Sequence, residues 1–299
     1  MEELQDWNCR REFTSPDDFH ARDAIEGRFF YMQAGNENPI ALELLKRAPF
    51  LVPFTSRVQI CISLLDSATR QYRNRHIGPQ QHGITIRRNQ IIEDAYRELN
   101  GLTTEQLRGI IRVTFVNEFG VEEAGIDGGG MFKDFMEKII KTGSDIQYGF
   151  FKETDDHLLY PNPVFATIHP QHLQYFEFFG KILGKAMFEG ILVDIPFATF
   201  FLTKLKEKHN CFHDLPSLDP ELYRSLKFLK NYDGDVSQLG LYFVCGNNEY
   251  GEQTEEEMLS SRKDMQVTNE NVISFIHILA NHCLNNQINN QSSSFLRGL

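Results

Sequence analysis

Residues 122–135 read "EEAGIDGGGMFKDF", with Gly128, Gly129 and Gly130 directly before a segment of helical spacing. Backbone N–H groups at a glycine-rich helix start can cradle phosphate. A phosphate loop also needs G-x-x-x-x-G-K-[ST], with the lysine reaching the phosphate and the hydroxyl a metal ion. Here Lys133 follows Gly130 by three residues, and no Ser or Thr follows it. Glu122, Glu123, Asp127 and Asp134 surround that lysine, and their field repels phosphate. The glycines are therefore expected to serve a tight strand-to-helix turn, at backbone angles that other residues avoid. Glu123 or Asp127 is expected to pair with Arg87 or Arg88.

"HNCFHD" (209–214) places Cys211 between His209 and His213. A thiol activated by a neighbouring base is one chemistry for such a set, and metal binding is another. His-Cys-His at i, i+2, i+4 matches no zinc spacing and supplies three ligands at most, so a surface loop is expected. "HPQH" (169–172) and the His277/His282 pair lack the carboxylate of H-E-x-x-H. Neither G-x-S-x-G nor G-x-G-x-x-G occurs. No catalytic, metal-binding or cofactor-binding residue is assigned.

The composition narrows the function classes. The 299 residues carry 41 acidic and 30 basic side chains, a formal net charge of -11. Nucleic acid requires clustered Lys and Arg, and the densest run, "RQYRNRH" (70–76), is short. Five cysteines (Cys9, Cys61, Cys211, Cys245, Cys283) show no C-x-x-C pair, which fits a reducing compartment, cytoplasmic or nuclear. The first residues lack the apolar stretch of a signal peptide. No apolar run approaches the ~18 residues of a membrane span. With 25 Phe, the core should be rich in aromatic rings.

Periodicity then sets the elements. Residues 1–45 are polar and mixed, apart from a turn and short helix led by Ser15-Pro16 and a helical patch at 40–48. A helix follows Pro53, with Val58, Cys61, Ile62 and Leu65 on its apolar face. Ile84 and Ile86 alternate as in a strand, and so do Ile111, Val113 and Phe115. Ile91, Ile92, Ala95 and Leu99 have helical spacing, as do Met131, Phe132, Phe135 and Ile139. Two short strands are expected in 148–163 around an acidic turn. The strongest helix, 172–191, carries Tyr175, Phe179, Ile182 and Ala186, broadened by Phe176, Leu183 and Met187, and should be central. Helices at 196–208 and 219–231 precede a strand at 241–245, an acidic loop at 246–257, a returning strand at "MQVT" (265–268), and a helix at 269–288 capped by Thr268. The order lacks a regular βαβ rhythm, so the fold class is α+β with helix dominant.

One binding feature emerges from these elements. Leu222, Leu226, Leu229 and Tyr232 recur on one helical face, Phe275 and Leu279 on another, with Leu239 and Leu241 on a strand between. Two helices and a strand could enclose an apolar groove; ordinary core packing gives the same spacing.

Several long segments, in one order, resemble HECT-type ubiquitin ligases. They are "VNEFGVEEAGIDGGGMFKDF", "LLYPNP", "FFGKILGKAMFEGILVDIPFATFFLTKL", "LDPELYRSLKFLKNYDGDV", "VTNENVISFIHILANHCLNNQI" and "SSFLRGL". Upstream, "RREFTSPDDFHA" and "RAPFLVPFTSRVQI" resemble the subgroup typified by ubiquitin-protein ligase E3C and its plant relatives. The resemblance implies a two-part N-lobe at 48–299, preceded by a lead-in at 1–47. Its large subdomain would span about 48–194 and 287–299, and its small subdomain about 195–286. The small subdomain of such ligases docks a ubiquitin-conjugating enzyme. Ubiquitin then passes through a thioester on a C-lobe cysteine to substrate lysines. The positions matching the docking groove are Leu222, Leu226, Leu229, Tyr232, Leu239, Leu241, Phe275 and Leu279. No cysteine here stands in the family's Thr-Cys-Phe-type motif, and Cys211 lies within the small subdomain. The resemblance thus implies a truncated ligase without its C-lobe, inactive alone. Its partners would be a conjugating enzyme and ubiquitin, with protein substrates bound through regions outside this chain. Neither nucleic acid nor membrane is expected as a partner. An alternative is a non-catalytic interaction protein that competes for conjugating enzymes.

Overall fold

The computed structural model describes all residues except 1, 11, 22–27, 76–80, 118, 124–129, 166–168, 250–251 and 259–263. In chain order the elements are α1 (Glu2–Arg10), α2 (Arg28–Gly35), α3 (Pro39–Arg47), α4 (Phe54–Arg75), β1 (Gln81–Arg87), α5 (Ile91–Leu99), α6 (Thr104–Arg108) and β2 (Ile110–Val116). Then follow α7 (Gly130–Ser144), β3 (Phe151–Glu153), β4 (Leu159–Pro161), α8 (His172–Phe188), α9 (Thr199–Leu205), α10 (Pro220–Lys230), β5 (Val244–Glu249), β6 (Glu252–Glu257), α11 (Val272–Asn281) and α12 (Asn289–Gly298). Helix dominates and, among the described residues, the strands pair in twos, which is the expected α+β class. Contacts divide the chain into two units, residues 1–89 with 97–133 and 185–192, and residues 90–96 with 134–184 and 193–299.

In the first unit, Asn38 caps α3 by accepting from the N–H groups of Ile40 and Ala41, and Pro39 suits the first helical position, where no N–H is needed. The helix buries Ala41 against a cluster of Phe30, Ala34, Val52 and Ile60. That cluster corrects the expected face of α4. Ile60 is buried, whereas Val58, Cys61 and Ile62 are exposed. The helix carries two apolar stripes, and the core takes the one that meets α2. Ser15 caps a short 3-10 helix at Pro16–Phe19, as expected, but α1 and α2 form in a stretch read as mixed. β1 and β2 run parallel, pairing Ile84 with Val113 and Ile86 with Phe115, and these four side chains are buried.

At the end of β2 lies the neighbourhood of the glycine run. Arg88 donates from Nε and Nη2 to the Glu123 carboxylate at 2.7 Å and lies over the Phe115 ring, 4.0 Å from its centroid. Gly130 opens α7. Asp127, Gly128 and Gly129, with the expected turn, lie outside the described residues.

The second unit is built on phenylalanine. Phe176 and Phe179 of α8 meet Phe150 and Phe151, and Phe151 reaches Phe197 and Phe201. Phe295 of α12 closes the set against Phe179, Phe197 and Phe201. Such edge and tilted ring pairs add about 0.5–1.5 kcal/mol each beyond their burial. The phenol of Tyr148 donates to Glu93 at 2.9 Å. Burial, then that hydrogen bond, raises its pKa far above the ordinary tyrosine value.

α8 and α12 approach backbone to backbone. A Cβ at Gly180 would stand 2.1 Å from the Phe295 carbonyl oxygen, and one at Gly298 would stand 1.9 Å from that of Glu177. Only glycine leaves room there. Met187, expected on the buried stripe of α8, is 45% exposed, although the neighbouring Ala186 is fully buried; it lies off the buried face.

Several boundaries in this unit differ from expectation. The strand expected at 241–245 begins at Val244, and its partner is β6, in the stretch read as an acidic loop. "MQVT" supplies a single bridge, Gln266 to Tyr242. The reason is that β5 and β6 are joined by a backbone ladder, which carries no apolar alternation to read. The helix expected at 196–208 shortens to α9. The helix expected at 269–288 is divided: α11 passes into a π turn at His282–Asn286. Its cap position is Asn271, not Thr268; the Thr268 carbonyl accepts from Asn271 and Val272.

Candidate partner-binding surface

The eight residues singled out for a groove fall on α10, α11 and the segment between them, all in the second unit. Asp219 starts α10 by accepting from the Leu222 N–H at 2.8 Å, ahead of Pro220. Leu226 and Leu229 then point into the core, 4% and 6% exposed. Phe275 and Leu279 of α11 are likewise buried, while Leu222, Tyr232 and Leu241 are half-buried. Leu239 alone of the eight is exposed, at 42%.

Leu239 and Leu241 do not lie on a strand. Leu239 ends a 3-10 helix, Val236–Leu239, which stops at Gly240 in the left-handed region with φ 66°. Asp235 caps this helix through Ser237, and those hydrogen bonds hold its carboxyl below the usual range. Leu241 follows in irregular chain, its carbonyl accepting from Val267.

Polar side chains hold this segment in place. Asn269 accepts from Val236 N–H at 2.7 Å and donates to the Gly234 carbonyl at 3.0 Å. Gln266 donates to the Ser237 carbonyl at 2.7 Å. Below it, Phe243 meets Phe275 edge to face at 5.3 Å. The loop tip is thus anchored on both its backbone and its buried ring, and Leu239 is presented by a fixed turn.

Three exposed apolar side chains escaped the periodicity: Phe228 at 66%, Tyr242 at 44% and Ile273 at 46%. Phe228 sits four residues before Tyr232 and packs on it at 5.8 Å. The i, i+4 pair was a usable signal. The buried stripe of α10 masks it, because Phe228 lies off that stripe.

"HNCFHD" packs against α10 and α11. Phe212 is buried and meets Tyr223 of α10 at 5.0 Å and His277 of α11 at 6.2 Å. Cys211 precedes a 3-10 helix at Phe212–Ser217, with its N–H bonded to Asp214, so the segment is not the expected loop. Asn210 is 1% exposed; its N–H donates to Asn285 in the π turn, and Asn285 donates back to the Asn210 carbonyl at 2.9 Å. Among the described residues no group of three His, Cys, Asp or Glu could hold a metal ion, and no helix is long and apolar enough to cross a membrane. All five cysteines are unbridged.

Residues 137–299 match the family model described as HECT-domain (ubiquitin-transferase). That match takes in both helices and the segment between them. The chain belongs to the HECT family. It is 60% identical over 298 residues to the E3 ubiquitin-protein ligase UPL6 of Arabidopsis thaliana, covering 100% of this chain and 29% of that protein. It is 39% identical over 304 residues to the human ubiquitin-protein ligase E3B, covering 99% of this chain and 28% of that protein. The yeast ligase HUL5 is 32% identical over 277 residues, which cover 86% of this chain and 30% of that protein. The chain therefore spans less than a third of the length of each of these relatives.

Proposed function

We propose that this chain is the conjugating-enzyme-docking part of a HECT-type ubiquitin ligase. The docking surface is the apolar face of the α10–α11 region: Leu239, with Leu222, Tyr232 and Leu241, over a floor of Leu226, Leu229, Phe275 and Leu279. In this reading the small subdomain is about 195–286, and the large one about 48–194 with 287–299, after a lead-in at 1–47. The observation that carries the reading is the exposed Leu239, fixed on a polar-clamped turn inside the family match. A rigid apolar contact loses little entropy on binding. A small transient interface of this kind gives a Kd of about 1 μM, roughly -8 kcal/mol.

In the proposed reaction ubiquitin leaves the conjugating enzyme for a ligase cysteine, then reaches a substrate lysine. No cysteine of this sequence stands in the Thr-Cys-Phe-type motif. The chain alone is accordingly read as a docking element without thioester chemistry. Five unbridged cysteines fit work in the cytoplasm or nucleus. Two measurements test the reading. Titration against a panel of conjugating enzymes should give saturable micromolar binding to at least one, and no binding to any ends the proposal. A non-reducing gel with charged enzyme should show no ubiquitin adduct on the chain. A reducible adduct lost in Cys211→Ala would contradict it.

A further inference from the structure

At the end of α9, Glu207 sits in the left-handed region at φ 56°, and Lys208 N–H returns to the Thr203 carbonyl at 3.1 Å. The reversal leaves Lys204 and Lys208 lining one cavity of about 550 Å³, with Ser292 and Arg297 of α12 across it. Three cations face it against one carboxylate, Glu207, in a chain whose net charge is -11. Lys204 donates to Asn289 at 3.3 Å, and burial lowers its pKa. A partly desolvated ammonium gains from an anion close by. Arg297 is steered by Ser294 at 2.8 Å and by Glu177 at 3.6 Å. Ser292 is 3% exposed, and its buried hydroxyl has no hydrogen-bond partner. That oxygen has almost no accessible surface, so it does not open onto the cavity, and contact with an anion falls to the three cations.

We propose that this cavity binds a phosphate group, held by Lys204, Lys208 and Arg297. A dianion matches the three cations better than a carboxylate, which carries a single charge. The bound phosphate would tie the end of α9 to α12. The site is distinct in sequence from the α10–α11 surface, so it stands or falls independently of the docking reading.

The test uses two probes at constant ionic strength: inositol hexakisphosphate, and a phosphoserine peptide alongside its unphosphorylated form. Thermal denaturation and calorimetric titration read binding, and hydrogen exchange reads protection at 203–209 and 292–297. At least one probe should raise Tm by several degrees and protect both stretches, while the unphosphorylated peptide does neither. Binding of inositol hexakisphosphate alone identifies a free polyphosphate as ligand. Binding of the peptide alone identifies a phosphorylated side chain. Lys208→Gln, at an exposed position, should weaken binding about tenfold. The proposal fails if neither probe binds, or if Lys208→Gln with Arg297→Gln binds as tightly as the unaltered chain. Should that double variant misfold by circular dichroism, undiminished binding by Lys208→Gln overturns it instead.

Discussion

Arg88 holds Glu123 by two charge-assisted bonds at 2.7 Å while its guanidinium covers the Phe115 ring at 4.0 Å. The Glu123 N–H in turn donates to the Phe115 carbonyl at 2.9 Å. Among the acidic residues around the glycine run, Glu123 therefore fastens the chain back onto β2. Glu123→Ala should lower stability by about 1 kcal/mol, since the pair is bidentate but partly exposed. Chemical denaturation measures this, and an unchanged midpoint contradicts it.

The packing of α12 on α8 makes a sharper prediction. Gly298→Ala places a Cβ 1.9 Å from a backbone carbonyl oxygen, and backbone on both sides cannot yield as a flexible side chain would. The cost should be about 3 kcal/mol. Gly101→Ala, where no atom lies within 4 Å, should change stability by less than ~0.5 kcal/mol. Equal effects of the two substitutions would refute the close approach.

Alkaline pH should destabilise the second unit. Burial pushes Tyr160 up to about 12, and also raises Tyr148. A group whose folded pKa lies above its unfolded value keeps the folded state favoured below the unfolded value, near 10 for tyrosine. That contribution is lost as pH rises from about 10 through 12. Stability measured from pH 8 to 11.5 should therefore fall above pH 10, and Tyr160→Phe should flatten the fall. A flat profile in the unaltered chain would contradict the burial of these phenols.

How much of this was legible in the sequence depended on whether one period dominated locally. α8, α10, β1 and β2 each carry a single apolar rhythm and formed as expected. α4 carries two stripes, and only tertiary packing on α2 selects between them, so Val58, Cys61 and Ile62 were misassigned to the core. β6 is glutamate-rich and is held by its backbone ladder, which no side-chain pattern reports. The π turn at His282–Asn286 rests partly on the Asn285–Asn210 contact, between residues 75 apart in sequence. For the candidate surface, family resemblance suggested the segment and spacing its stripes. Neither separates a buried floor from an exposed edge: Leu226 and Leu239 looked alike in sequence but are 4% and 42% exposed.

That difference decides which substitutions test docking. Leu226→Ala would open the core, costing about 2–5 kcal/mol, and any loss of binding would follow from unfolding. Leu239 and Tyr232 can be changed with the floor intact. Calorimetric titration of Leu239→Ala and Tyr232→Ala with a conjugating enzyme that binds the unaltered chain is the most direct test. At unchanged thermal stability, each should weaken Kd about fivefold or more, roughly 1 kcal/mol. Affinities within twofold of the unaltered chain, from both variants in folded form, would contradict a docking surface at α10–α11.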